Sequence, residues 1–349
     1  MVDRSWEQWV NENLTRGCDP QEMKEIMLKR GLSPAEIRRM LGEKYMDDAT
    51  RPAATVPSNG RNHDSEEAIR RKSASLLEIQ RNLARLNPNA RVIERRKDLS
   101  ASEFLEKYYA ANRPVILCDL MTLWGAPSRW TPEYLKATCG EEMVEIMAAR
   151  DTDPNYETDD GPHRRQIKFA DFVDMVSLDT ETNAYYLTAR NEFFQRPGPK
   201  ALLRDIEVFT EYLRETSGDG VYLWYGPKGT ITPLHHDSMN IFMAQVHGRK
   251  QVKLIPAAEL SSVYNHYSVY SQVDMADPDY ARFPKFRDAS AIDLELAPGE
   301  VLFLPVGWWH WVKALDRSMT VSFNNFLFPN DFQWEHPKRP KRPEKAAAY

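Results

Sequence analysis

The chain has little cysteine. Three residues in 349 (Cys18, Cys118, Cys139) are too few and too scattered for a disulfide framework or a cysteine-built zinc cluster. Three reduced thiols in a cytoplasmic protein are expected. Long apolar runs are also missing, so no membrane-spanning helix and no membrane partner are expected. The opening MVDRSWEQW is charged and lacks the apolar core of a signal peptide. Neither sign of charge dominates. With 46 Lys and Arg against 51 Asp and Glu, the net charge of -5 gives no general attraction to nucleic acid, which is not expected as a partner. What is present has the balance of a globular protein, 42% hydrophobic and 28% charged. The length allows one large domain with a substantial core plus a small one.

Residues 1–45 read as three short helices. Ser5, Asp19 and Ser33 each stand three residues before a Gln or Glu, the capping-box spacing. Pro20 and Pro34 fall at first helical positions, and Gly17, Gly31 and Gly42 follow the helices as C-caps. Trp6, Trp9 and Val10, then Met23, Ile26 and Met27, then Ile37 and Leu41, form apolar stripes at helical spacing. Packing against the main domain or docking a partner are both open roles for this module. Residues 46–65 lack periodicity and are rich in Pro, Asn, Asp and Ser, as in a linker. In 66–98, Leu76, Ile79, Leu83 and Leu86 recur at spacings of three and four and predict a connecting helix. The basic run after it reads as a solvated face, given the acidic whole.

From Val92 the pattern changes to short β-rich runs separated by Gly, Pro and Asp: PVILCDL, MVEIMA, AYYLTA, VYLWYG, IFMAQV, KQVKLIP, GEVLFLP and MTVSFNNFLF. Many short strands imply a sandwich or barrel, with outer helices near 103–111, 132–137 and 169–176. The tail, 331–349, is basic and proline-rich and is expected to be extended.

The segment GTITPLHHDSMN carries the chemistry. On a strand, His235 and Asp237 would share one face and His236 would point away. A second histidine would complete the 2-His-1-carboxylate set that leaves open positions on iron(II). His310, in PGEVLFLPVGWWHWV, is the candidate, just beyond a strand at 301–304. His63, His163, His247, His266 and His336 have no comparable context and read as surface or packing residues.

TPLHHD, MAQVHGRKQVKLIP and PGEVLFLPVGWWHWV occur in the order and at the spacing of JmjC oxygenases of the cupin-like group. The region from about Leu99 to Phe328 resembles that family, in particular the asparaginyl hydroxylase that acts on hypoxia-inducible factor. The resemblance implies a mainly β fold: a double-stranded β-helix (jelly roll, cupin type) spanning 99–330, with flanking helices. It implies iron(II) held by His235, Asp237 and His310, with 2-oxoglutarate and dioxygen as cosubstrates. Lys250 matches the lysine that pairs with the distal carboxylate of 2-oxoglutarate. Thr232 matches a hydroxyl, and Tyr186 a phenol, on the same carboxylate; Tyr185 competes for the phenol's role. Asn324 resembles an asparagine near the chelating end, with Asn325 as its rival. Two positions depart from the pattern. Ile241 stands where an asparagine often follows, with Asn240 one earlier, and Trp311 replaces a second histidine. The resemblance therefore leaves the metal set intact and does not carry asparaginyl specificity. The activity it implies is hydroxylation of a protein or peptide side chain. A small-molecule hydroxylase and a non-catalytic cupin-type binding protein are the alternatives, and lysine demethylation is a variant of the first. Substrate and oligomeric state are not legible.

Overall fold

The computed structural model describes residues 4–15, 18, 20–42, 58–189, 192–265 and 268–332, with the backbone alone at 4–5, 22 and 58–65. The tail beyond 332, His266 and His336, the side chain of His63, and the capping roles read for Ser5, Gly17 and Asp19 lie outside it. The chain divides into two compact units between Arg70 and Arg71.

The first unit holds α1 (Arg4–Thr15), α2 (Pro20–Lys29) and α3 (Pro34–Leu41). Ser33 and Glu36 form the expected reciprocal capping box, which satisfies two backbone N–H groups that a helix start leaves open. Val10, Met23, Met27, Ile37 and Leu41 meet in one small buried cluster. Helix α4 (Ser58–Leu86) crosses into the second unit. It begins inside the stretch read as a linker, where no apolar periodicity announces it.

The second unit is a two-sheet jelly roll. Its strands are β1 (Glu94–Arg96), β2 (Val115–Leu117), β3 (Met143–Ala148), β4 (Arg164–Lys168), β5 (Tyr185–Tyr186), β6 (Val221–Gly226), β7 (Ile231–His235), β8 (Ile241–His247), β9 (Lys250–Ile255), β10 (Ile292–Leu296), β11 (Val301–Leu304), β12 (Trp309–Ala314) and β13 (Ser318–Phe323). One sheet has six strands in the order β1-β2-β11-β8-β13-β6, and the facing sheet four, β10-β9-β12-β7. A third, β4-β3-β5, sits beside them. Non-sequential neighbours with antiparallel pairing are what a double-stranded β-helix requires. Helices α5 (Pro132–Cys139) and α6 (Phe169–Ser177) flank the strands, with Thr131 capping the first. The helix expected near 103–111 starts at Ala101, capped by Ser100, and widens into a π-helical turn over Leu105–Tyr109.

The largest core cluster fills the six-stranded sheet's outer side and the helices over it, with Phe104, Phe242, Phe303 and Phe326 in mutual ring contact. Trp309 and Trp311 pack with Leu234, Ile255, Val263 and Phe286 on the other side of the four-stranded sheet. Between the sheets lies the cavity.

Candidate metal centre and its cavity

The two histidines meet because their strands are neighbours. In the β7–β12 ladder His235 lies directly opposite His310, and their ring centroids are 4.0 Å apart. Directly opposed residues are the closest side-chain pair an antiparallel ladder offers. His310 lies beyond β11, as expected, and inside the next strand, β12. The aromatic run after the turn at Gly307 pairs with both β7 and β9. Gly307 has φ 79, a left-handed turn that glycine accepts without strain.

Asp237 is not on the strand. β7 ends at His235, and Asp237 stands two residues on, in a loop held by the Gly307 N–H, which donates to its carbonyl at 3.0 Å. Its carboxylate nevertheless reaches both imidazoles: Oδ1 is 3.9 Å from His235 Nε2 and Oδ2 is 3.5 Å from His310 Nε2. One ligand atom from each residue falls within 4.8 Å of the others. His235 Nδ1 contacts the Pro233 carbonyl at 2.8 Å, and His310 Nδ1 the Trp308 carbonyl at 3.1 Å. A carbonyl only accepts, so each Nδ1 carries the proton and each Nε2 presents a lone pair to the shared space. This backbone anchoring is how metal-binding histidines are oriented.

Burial acts on the set. It pushes the Asp237 carboxyl up, and His235 pulls it part of the way back. Burial holds His310 well below the usual imidazole range, with His235 adding to the effect. Two imidazole nitrogens and a carboxylate oxygen converging on one space form a set suited to a divalent metal.

The cavity they open into has a volume of about 260 Å³. Its wall includes Tyr186, Tyr222, Trp224, Thr232, Met243, Lys250, Leu304 and Val312 as well as the three ligand-type residues. Lys250 begins β9 and is buried, its Nζ donating to the Tyr186 hydroxyl at 3.3 Å. Among the described residues no carboxylate pairs with it. Burial lowers its pKa to about 7. A buried amine without an anion is costly, and it lines the same space as the metal-type set. Burial pushes the Tyr186 phenol up, with the Thr232 hydroxyl beside it lowering it slightly.

Strict alternation would have kept Thr232 off this wall, since it differs in parity from His235. The ladder shows why it is there. His310 pairs with His235 but Val312 pairs with Thr232, so three steps on β7 face two on β12. This bulge at Pro233–Leu234 turns both side chains to the cavity. Of the competing tyrosines, Tyr186 lines the cavity, whereas the Tyr185 hydroxyl donates to Met175 O on α6. Asn324 does not line it. Its amide donates to the Tyr222 hydroxyl at 3.5 Å and touches Met239 Sδ at 3.0 Å, one side chain removed; Asn325 donates to Arg214 O. His236 points away as expected, edge-on to Trp309 at 4.7 Å. Of the two departures from the family pattern, Trp311 packs in the outer core, whereas Ile241 lines the cavity; the Asn240 carboxamide beside it accepts from Val306 N. His163 Nδ1 contacts Ala148 O, and His247 packs remote from the site, lining a separate cavity.

Several residues in the wall or behind it carried no signal in the sequence. Tyr270 lies over His235, with rings 5.7 Å apart and a backbone bridge between the two. The Trp224 indole donates to Ser322 Oγ at 2.9 Å. Arg150 is fully buried, donates to Asn183 and Ile231 O, pairs with Glu157 at 3.1 Å, and lies 5.2 Å from the Tyr186 ring. It braces the phenol from behind. A buried arginine cannot be told from a surface one by its neighbours in the chain.

A family model described as a cupin-like domain matches residues 101–332. Similar proteins include lysine-specific demethylase 8 of Xenopus tropicalis, 34% identical over 64% of this chain and 50% of that protein. Lysine-specific demethylase JMJ30 of Arabidopsis thaliana is 31% identical over 66% and 54% respectively. HSPB1-associated protein 1 of Rattus norvegicus is 28% identical over 67% and 52%. The chain spans about half the length of these curated relatives. With its two-sheet jelly roll and a matched region that contains every residue of the cavity wall, this chain belongs to the cupin-like domain family and is of the JmjC type.

Proposed function

We propose that the protein is an iron(II)- and 2-oxoglutarate-dependent oxygenase that hydroxylates a side chain of a protein or peptide. The observation that carries this reading is a single cavity with two unlike polar ends. One end gathers two imidazole nitrogens and a carboxylate; the other holds a buried lysine that no carboxylate pairs with among the described residues. A dicarboxylate that chelates a metal through its keto-acid end needs both.

Each group then has a physical task. His235, Asp237 and His310 would occupy one face of the metal and leave the other open. Protonated Lys250 would pair with the distal carboxylate, and the Tyr186 and Thr232 hydroxyls would donate to it. Trp224, Met243, Leu304 and Val312 keep the space dry, which strengthens that pairing. Arg150 holds the Tyr186 ring in place. Bound iron(II), with 2-oxoglutarate and dioxygen, would supply the oxidation of a C–H bond, and the chain itself offers no nucleophile for the reaction. Two of the relatives are named as lysine-specific demethylases. Hydroxylation of an N-methyl carbon followed by its loss is the form the same chemistry would take on such a substrate, so a methyl-lysine peptide belongs among the candidates.

The test is succinate formation in the presence of iron(II) and 2-oxoglutarate, together with mass spectrometry of peptides for the gain of one oxygen or the loss of a methyl group. Wild type should produce succinate, and Asp237→Ala and His310→Ala should not. Equal turnover in both variants would refute the assignment. Unchanged peptide spectra, with a small molecule oxidised instead, would refute the substrate class.

A further inference from the structure

Helix α4 lies with the wrong face inward. Along it Ile69, Lys72, Leu76, Ile79, Leu83 and Leu86 alternate at spacings of three and four. That is an unbroken a/d seam, the pattern that lets two helices supercoil. Yet the apolar members are all open to solvent: Ile69 is 65% exposed, Leu76 53%, Ile79 54%, Leu83 61% and Leu86 78%. Within the second unit, the face of the helix that packs on neighbouring segments is polar instead. Arg81 donates to Ser262 Oγ at 3.0 Å and pairs with the buried Glu259 at 3.6 Å, and Arg85 donates to Asp288 O at 2.7 Å. At about 100° per residue, Leu77, Arg81 and Arg85 lie roughly opposite the seam. The helix is thus anchored by its arginines and turns its apolar seam outward.

We propose that this seam is the interface with a second copy of the chain, α4 against α4. The charge pattern selects that occupant. The positions flanking the seam are Ala68, Ser73, Ser75, Gln80 and Asn82, all neutral. Two identical helices carrying like charges there would repel; these do not. A partner of opposite charge would find nothing on the flanks to recognise. Lys72 is the one charge in the seam, and its long stem can lie along the partner helix while the ammonium reaches water. A single polar residue in such a seam lowers stability and fixes the register.

The stripe is about 27 Å long at 1.5 Å per residue, on a helix about 10–12 Å across. This footprint is smaller than the ~800 Å² per partner of a standard interface. The dimer is therefore reversible and concentration-dependent, not permanent.

Sedimentation velocity of the full chain, from low to high micromolar concentration, tests this. Wild type should shift from monomer to dimer as concentration rises. Leu76→Glu/Leu83→Glu should stay monomeric throughout, with unchanged circular dichroism. Lys72→Leu, which completes the apolar seam, should move the midpoint about tenfold lower. A wild type that is monomeric at every concentration would overturn the proposal, whatever else then covers the seam. So would a dimer that survives the double substitution, or a midpoint that Lys72→Leu leaves in place.

Discussion

The cavity of the jelly roll and the outer face of α4 break the same rule in opposite directions. The cavity buries a lysine and a histidine and half-buries a second histidine and a carboxylate where apolar side chains are expected; the helix exposes four leucines and isoleucines of its second-unit stretch where polar ones are expected. Each departure costs free energy in the isolated chain. The cavity's cost is electrostatic and would be relieved by a cation at one end and an anion at the other. The helix's cost is hydration of apolar surface and would be relieved by another apolar surface. Polar groups out of place therefore point to a small charged ligand, and apolar groups out of place point to a macromolecule.

The strongest way to break the comparison is to remove a ligand-type side chain. Asp237→Ala or His310→Ala should lower succinate formation by at least about a thousandfold, because the proposed oxidation would depend wholly on the metal. Next is the other end of the cavity. Lys250→Met should weaken 2-oxoglutarate binding about a hundredfold or more, measured by calorimetry with manganese(II) in place of iron, since it leaves a buried carboxylate unpaired. The same variant should melt at a higher temperature than wild type without ligand, because a desolvated amine has been replaced by an apolar chain.

The pH dependence separates these effects. The Lys250 pKa is depressed to about 7 in the folded, ligand-free protein. Above that pH the amine is neutral, so binding a dianion requires proton uptake. Affinity for 2-oxoglutarate should then fall by about tenfold per pH unit above 7, until the pKa of the complex is reached. For stability the sign is opposite. The unfolded lysine keeps its proton up to about 10.4, so the unfolded state binds more protons between the two values. Ligand-free stability should rise with pH across that window in wild type relative to Lys250→Met, as read by denaturant melts. The smallest effect is on the helix. Leu76→Glu should change the unfolding free energy of the monomer by less than about 0.5 kcal/mol, since the side chain is half exposed already. A large loss would mean that the seam is covered within the chain itself.

Much of the fold was legible because it rests on local patterns. Eight of the strands follow β-rich runs bounded by turn residues, and the capping box at Ser33 and Glu36 appears where its spacing put it. Other elements left weaker traces. β4 (RRQIK) and β10 (IDLEL) carry too many charges to read as strands, and are held by pairing with β3 and β9. The start of α4 at Ser58 has no apolar stripe to announce it.

By itself the sequence determined which residue types can bind a metal and a dicarboxylate, and the heptad spacing of α4, because both are written in side chains and short separations. Only the tertiary structure decided that His235 faces His310, that a bulge brings Thr232 to the same wall, that Asn324 stands one side chain back, and that the heptad seam looks outward. The reason is physical. Register, bulges and the choice of buried face are set by pairing and packing between segments far apart in the chain, and no local pattern carries that information.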